Sequence, residues 1–453
     1  MGLSSVNPAN GQVMKRFDPY GPDEIERRVR MAAEAAPMWR REPVATRARV
    51  LAAAAELLEA EKESWSRLMT LEMGKTLGGS IKEAEKCAAA CRYYAERAGD
   101  FVAAERIDGP DHRVEIEPLG VVLAIMPWNF PFWQVVRFAA PALAAGNVAL
   151  LKHASNVPQC ALALEDLFRR AGAPAGVFQS LLVGAEAVED LLADPRVAAA
   201  TLTGSEGAGR AVASVAGQHL KKVVLELGGS DPFIVMPSAD LDDAARTAVA
   251  ARLVNNGQSC IAAKRFIVAD AIYDRFAEVF LAALGAIRVG DPLEATTELG
   301  PLAMPAIRDH LDEQVRRTVS AGARLLLGGK PLPGPGNYYP PTVLVDIPVG
   351  SPAYSDELFG PVAALFRVRD FEQAVKLAND SGFGLGATAF TRDPDEINGF
   401  VRGLEAGSVF INQMVASDPR FPFGGIKRSG HGRELGPWGL REFTNLKTVR
   451  IWR

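Results

Sequence analysis

The chain has 453 residues, with 50 Lys+Arg against 54 Asp+Glu for a formal net charge of −4, and is 48% hydrophobic and 23% charged. At roughly 100–200 residues per domain this length predicts two or three domains, and the composition excludes a disordered chain. The near-neutral balance gives no reason to expect nucleic acid or an anionic membrane as a partner.

Four cysteines, with no CxxC and no Cys/His cluster, predict neither a disulfide framework nor a metal site. The first fifteen residues lack an apolar h-region, and no apolar run reaches the ~18 residues a membrane helix needs. A soluble, cytoplasmic protein is therefore expected.

Residues 22–99 are rich in Ala, Glu, Arg and Leu, which predicts helices, with helical runs over 47–63 and 80–98. Gly109-Pro110 marks a change. The following Arg113-Val-Glu-Ile-Glu-Pro-Leu-Gly-Val-Val alternates apolar and charged residues, as an exposed strand or hairpin arm does. Buried strands are then predicted over 121–126 and 148–152, each followed by a helix, over 132–145 and 158–171. Gly176-Val-Phe, a helix over 185–193 and the strand-like 199–203 continue the alternation, which predicts a parallel sheet in an α/β domain. A second α/β series starts near Lys222-Val-Val-Leu-Glu. Its strands are expected at Phe233-Ile-Val-Met, Arg265-Phe-Ile-Val and Ala363-Ala-Leu-Phe-Arg-Val, with helices over 240–252 and 272–284. Residues 330–339 read as a Gly/Pro-rich surface loop. The tail 445–452 returns to a strand pattern and is expected to pair with the alternating arm, in the same subunit or in a partner.

Three segments carry residue types suited to chemistry. Cys260 stands in Asn255-Asn-Gly-Gln-Ser-Cys-Ile, on a turn after a helix that ends near Val254, where a thiol is accessible and tunable. The usual role of a cysteine, a small buried hydrophobe, suits Cys87, Cys91 and Cys160. Glu226, in Leu225-Glu-Leu-Gly-Gly at a strand end among apolar residues, suits a general base; capping the next turn is its ordinary alternative. Pro127-Trp-Asn-Phe-Pro fixes the backbone around Asn129, whose amide is placed to donate to an oxyanion or, more commonly, to close an Asx-turn.

Six motifs then stand in order: Pro127-Trp-Asn-Phe-Pro, Thr203-Gly-Ser-Glu, Leu225-Glu-Leu-Gly-Gly, Gly257-Gln-Ser-Cys, Glu357-Leu-Phe-Gly-Pro and Phe423-Gly-Gly-Ile-Lys-Arg-Ser-Gly. From about Asn7 to the C-terminus the chain thereby resembles the NAD(P)-dependent aldehyde dehydrogenase superfamily. The resemblance implies an α/β architecture of two Rossmann-type domains with a strand-bearing oligomerisation arm. The dinucleotide-binding domain would take 1–110 and 124–226, the catalytic domain 227–420, and the arm with its C-terminal strand 111–123 and 421–453. It also implies a homodimer or a dimer of dimers.

By the same resemblance Cys260 is the nucleophile, Asn129 and the Cys260 backbone N–H hold the oxyanion, and Glu226 activates the water that hydrolyses a thioester. CoA-acylating relatives generally lack that glutamate, so a free acid is the expected product. The G-x-G-x-x-G fingerprint is absent, but Gly204-Ser-Glu-Gly-Ala-Gly leads from a strand into a helix whose N-terminus suits a pyrophosphate. Gly204, Ser205, Trp128, Asn129 and Leu227 map onto the cofactor site, and Glu357 and Phe359 onto the nicotinamide ribose. Lys152, His153, Ala154 and Ser155 close a strand where the adenosine ribose belongs. An acid there would accept from a free 2′-hydroxyl, whereas this chain has a lysine and a serine and no carboxylate until Glu165. NADP is the expected cofactor and NAD the alternative.

On the helix that lines the family's substrate tunnel, Trp133 and Arg137 share a face, and an arginine in an apolar tunnel calls for an anionic partner. The expectation is a distal substrate carboxylate; an internally paired arginine is the alternative. Ser259 and Ser417 are further substrate-facing candidates. Lys152-His-Ala-Ser-Asn-Val-Pro and the short chain look most like the short bacterial succinate semialdehyde dehydrogenases. Glutarate semialdehyde, a broad aliphatic or aromatic aldehyde range, and a non-catalytic protein retaining the fold are the competing readings.

Overall fold

The structure is a computed structural model and describes residues 3–108 and 111–452. The break expected at Gly109-Pro110, which also ends the 1–110 segment, lies outside the described residues.

The N-terminal part is helical, as its composition predicts, but the run over 47–63 is two helices, Val44–Ala60 and Lys62–Met73, interrupted at Glu61. The long helix Leu77–Phe101 opens on Thr76, whose side chain accepts from the Gly79 N–H at 3.2 Å, and buries Ala84, Cys87, Ala88 and Cys91 on one face. These helices pack on one another and on the helices Trp133–Ala145 and Pro158–Arg170.

Among the described residues a first sheet runs, edge to edge, Gly430–His431, Lys222–Glu226, Val197–Thr203, Val121–Met126, Val148–His153 and Phe178–Ser180. All neighbours are parallel except the first pair. The buried runs Val-Val-Leu-Ala and Val-Ala-Leu-Leu form its centre because both faces are covered, the usual state of a parallel sheet. Lys222–Glu226 thus belongs to this first sheet and does not open the second series. The sheet edge is completed by the C-terminal part of the chain: Gly430–His431 pairs with Leu225 and Glu226.

The second sheet has the order Arg324–Leu327, Thr342–Val345, Val362–Val368, Arg265–Ala269, Pro232–Val235, Gly386–Phe390 and Ser408–Ile411. Only Arg324–Leu327 is antiparallel to its neighbour. The alternating arm forms the strand His112–Pro118, and the tail Thr444–Arg450 pairs with it antiparallel within this subunit, Leu446 opposite Ile116. Thr444–Arg450 is an edge strand.

In parallel sheets ligands gather beyond the carboxyl ends of the strands. Here Met126, His153, Thr203 and Glu226 all end strands of the first sheet, and Thr203 lines one cavity together with Cys260.

Candidate active site

Cys260 follows a tight turn that three consecutive left-handed residues make, Asn255 (φ 57°), Asn256 (φ 58°) and Gly257 (φ 74°). Two asparagines tolerate this region because their amides bond locally. The Asn256 amide donates to Gly74 O and Pro301 O and accepts from the Gly300 N–H, all at 2.9–3.0 Å. The Asn255 amide donates to Asn129 O and Gln258 O. A side chain at Gly257 would strike the Gly360 backbone. Lys264 holds the segment from behind: its Nζ donates to the carbonyls of Ser259 and Cys260, both at 2.7 Å, and lies 3.3 Å from Glu357. The thiol is part-buried, and burial pushes it up to about 12, against the pull of Arg137 and Lys264. At neutral pH its resting form is the thiol.

Two cavities meet at Cys260 and Gln134, which line both. The larger, about 480 Å³, is lined by Trp128, Asn129, Gly204, Ser205, Leu227, Glu357 and Phe359. These seven cofactor candidates are brought together although they come from distant segments. Ser205 caps the helix Glu206–Gln218, leaving first-turn N–H groups at the cavity. Glu206 at that terminus is balanced by Arg210 at 3.1 Å and Arg428 at 3.5 Å. Trp128 and Phe359 meet edge to face, 5.7 Å between centroids.

Lys152, His153, Ala154 and Ser155 are not in that lining. They close the strand Val148–His153, whose His153 pairs with Met126 at the end of the adjacent strand. The His153 ring is committed to the scaffold: Ala154 N–H donates to Nδ1 and Nε2 lies 2.8 Å from Pro131 O, fixing the loop around Asn129. Burial brings its pKa down to about 4, so the ring is neutral. Lys152 is buried without an ion-pair partner among the described residues. Burial lowers its pKa, and Glu186 opposes this from a distance.

Asn129 donates from Nδ2 to Gln258 O at 3.1 Å, which leaves its second N–H free and orients the amide beside the nucleophile turn. Glu226 ends its strand and lines neither cavity. Its two oxygens have no hydrogen-bond partner, and only a glycine at 424 leaves them room. Burial raises its pKa well above the carboxylate range, Glu434 adds to this and Arg137 opposes it. Two buried acids beside one arginine favour a single ionised carboxylate, and the ion pair assigns that charge to Glu434.

The second cavity, about 240 Å³, is lined by Trp133, Arg137, Ser259 and Ser417, the four substrate candidates, with Phe130, Phe423 and Lys86. Its helix, Trp133–Ala145, is held at its N-terminus by Glu83, which accepts from the Phe132 and Trp133 N–H groups, both at 2.8 Å. Arg137 departs from the sequence expectation of an unbalanced cation awaiting substrate. It is ion-paired with Glu434, donates to Thr203 Oγ1 at 3.3 Å and lies over the Phe423 ring. It therefore forms wall whose charge is already neutralised.

Sequence reasoning passed over Lys86, Lys264 and Glu434. For Lys86 the signal is register alone: it shares a helical stripe with Glu83 and Ala90, both buried. Among the described residues no His/Cys/Asp/Glu cluster suits a metal, and no helix is long and apolar enough to cross a membrane.

Comparison with known proteins agrees with this geometry. The model of the aldehyde dehydrogenase family matches residues 2–449. The chain is 53% identical over 453 residues to a probable succinate-semialdehyde dehydrogenase [NADP(+)] of Synechocystis sp., covering all of both chains. It is 54% identical over 456 residues to succinate-semialdehyde dehydrogenase [NADP(+)] 1 of Mycobacterium tuberculosis, again with full coverage of both. The crystal structure of succinic semialdehyde dehydrogenase from Streptococcus pyogenes in complex with NADP+ superposes with a TM-score of 0.97 at 35% identity, covering 99% of each chain.

Proposed function

The chain belongs to the aldehyde dehydrogenase family, and from that premise we propose that it oxidises succinate semialdehyde to succinate with NADP(+). The observation that carries the reading is the placement of Cys260 where a dinucleotide-sized groove meets a small, mostly apolar cavity containing a cation. The relatives named for this substrate and cofactor support it.

The donor set of the groove fits a dinucleotide. Gly204, Ser205 and the first-turn N–H groups of the helix Glu206–Gln218 would hold the pyrophosphate, with Glu206 already balanced by its two arginines. Glu357 and Phe359 would hold the nicotinamide ribose, and Lys152 with Ser155 an adenosine 2′-phosphate. When bound, the nicotinamide accepts a hydride.

The chain's own residues carry the other steps. Cys260, once ionised, adds its sulfur to the aldehyde carbon and forms a thiohemiacetal. The free N–H of the Asn129 amide and the Cys260 backbone N–H stabilise the oxyanion, each typically worth ~10²–10³ in rate. Loss of hydride from that carbon leaves a thioester on Cys260. Glu226 then takes a proton from the water that attacks the thioester carbon, the C–S bond breaks to release the acid and the Cys260 thiolate, and the raised pKa of Glu226 makes it a strong base once ionised. Self-association through the edge strand Thr444–Arg450 belongs to the same reading, since Leu446 and Trp452 are exposed beside its unpaired edge.

The deciding assay follows NADPH and NADH formation with succinate semialdehyde and with butanal, which has the same chain length and no carboxylate. The semialdehyde is expected to lead in kcat/KM by more than about tenfold, and NADP over NAD. Equal turnover of both aldehydes would overturn the substrate, and an NAD preference would overturn the cofactor.

A further inference from the structure

We infer that Lys264 is a positioning residue that turns the Cys260 backbone N–H toward the aldehyde oxygen and strengthens it as a donor. The inference rests on Cys260 being the nucleophile, as proposed above, and holds whichever aldehyde is the substrate.

Lys264 stands at the entry of the strand Arg265–Ala269. Its backbone N–H donates to Asp231 O at 3.1 Å and its carbonyl accepts from the Ala364 N–H at 2.9 Å, so its main chain is held on two sides. From there the side chain folds back onto the turn it came from. It is buried, and its Nζ donates to the carbonyls of Ser259 and Cys260, both at 2.7 Å. That leaves its third N–H for Glu357, 3.3 Å away. Only the ammonium form has three N–H donors, so the arrangement calls for the charged lysine. Burial works against that charge, as does Arg252, while Glu357, Asp231 and Cys260 favour it.

A trans peptide is planar, and its C=O and the following N–H point in opposite directions. With Ser259 O drawn onto Lys264, the Cys260 N–H points away from the ammonium. Among the described residues that N–H donates to no protein acceptor. Its peptide is firmly held: Ser259 O also accepts from the Ala262 N–H at 3.1 Å. Beyond it, Gly229 packs so closely on the Cys260 carbonyl that a Cβ there would lie 2.6 Å from the oxygen. The Gly229 N–H in turn donates to Glu357 Oε1 at 3.1 Å, which ties the lysine's counter-charge into the same frame.

The ammonium does more than aim the peptide. A cation on the carbonyl oxygen draws electron density along the amide, so the N–H at its other end becomes a better donor. Attack of Cys260 on the aldehyde and attack of water on the thioester both place negative charge on the same oxygen. An N–H free of protein acceptors and polarised from behind is suited to that charge, and Lys264 supplies both properties without touching the substrate.

The test compares Lys264→Met and Lys264→Gln with the wild type in two reactions, after an NADP titration confirms that each variant is folded. Aldehyde oxidation, followed as NADPH formation with succinate semialdehyde and with butanal, needs the oxyanion donor. Alkylation of Cys260 by iodoacetamide forms no oxyanion, so it reports only the lost pull of the ammonium on the thiol. In Lys264→Met, kcat is expected to fall about 10–100-fold further than the alkylation rate does. The excess should be the same for each aldehyde the wild type turns over, with little change in KM. Lys264→Gln keeps N–H donors without the charge and should recover part of it. Equal falls in the two reactions, or a loss confined to KM, overturn the inference alone. Should Lys264→Met not fold, Lys264→Gln is held to the same comparison. A Cys260→Ala protein that still oxidises either aldehyde overturns the nucleophile reading beneath it.

Discussion

In the groove that ends on the helix Glu206–Gln218, two acidic side chains of the wall, Glu206 and Glu357, have cations beside them. Glu206 has Arg210 and Arg428, and Glu357 has Lys264. In the smaller cavity on the other side of Cys260, Lys86 has a hydroxyl and an aromatic ring but no carboxylate. Lys152, at the end of the strand Val148–His153 and outside the groove lining, also has no ion-pair partner among the described residues. A paired buried charge is satisfied by the protein and serves as scaffold. An unpaired one keeps much of its desolvation cost. The contrast separates Arg137, which sequence reasoning favoured as an anchor, from Lys86, which it overlooked.

The largest effect is expected where the two cavities meet. Cys260→Ala should reduce aldehyde oxidation by roughly 10⁴–10⁶-fold, read as NADPH formation, while the protein still binds NADP in a fluorescence titration. Because burial holds the thiol up to about 12, alkylation of Cys260 by iodoacetamide in the enzyme alone should speed up about tenfold per pH unit from 7 to 10. A flat profile would mean that the thiolate is the resting form.

Next comes the paired charge. Arg137→Ala leaves Glu434 buried without its partner and should cost about 3–5 kcal/mol in a urea denaturation series, with the Glu434→Gln double variant recovering part of the loss. Lys86→Met should shift the same midpoint little, or raise it. Equal destabilisation at both positions would break the distinction between paired and unpaired charge.

Asn129→Ala should lower kcat by ~10²–10³ with a smaller change in KM, since its free N–H acts on the oxyanion more than on the aldehyde. A change confined to KM would assign the amide to substrate binding. The smallest effect is expected at Lys152→Ala: the KM for NADP should rise about tenfold and that for NAD much less. Equal changes for both cofactors would remove Lys152 from 2′-phosphate recognition.

How far the sequence could be read depended on the range of the forces involved. The burial runs of the central strands and the periodicity of the helices over 80–98 and 240–252 are local, and the observed elements lie within a few residues of where those patterns placed them. The helix over 47–63 was not legible as two, because nothing in its composition marks the interruption at Glu61. The assignment of Lys222–Glu226 to the first sheet rests on pairing with Val197–Thr203, and its other partner, Gly430–His431, comes from about 200 residues further along the chain. Those are choices of neighbour, and a strand pattern does not name its neighbour.

The sequence by itself determined the family, through six motifs whose order and residue types are properties of the chain alone, and with it the identity of the candidate nucleophile, base and oxyanion donor. Only the tertiary structure decided which charges are spent. Arg137 and Lys86 both read as cations near an apolar tunnel, and their difference lies in Glu434 and Ser417, the latter 331 residues from Lys86 along the chain. Electrostatic balance is set by distances of a few ångströms in space. The fold alone brings such residues together.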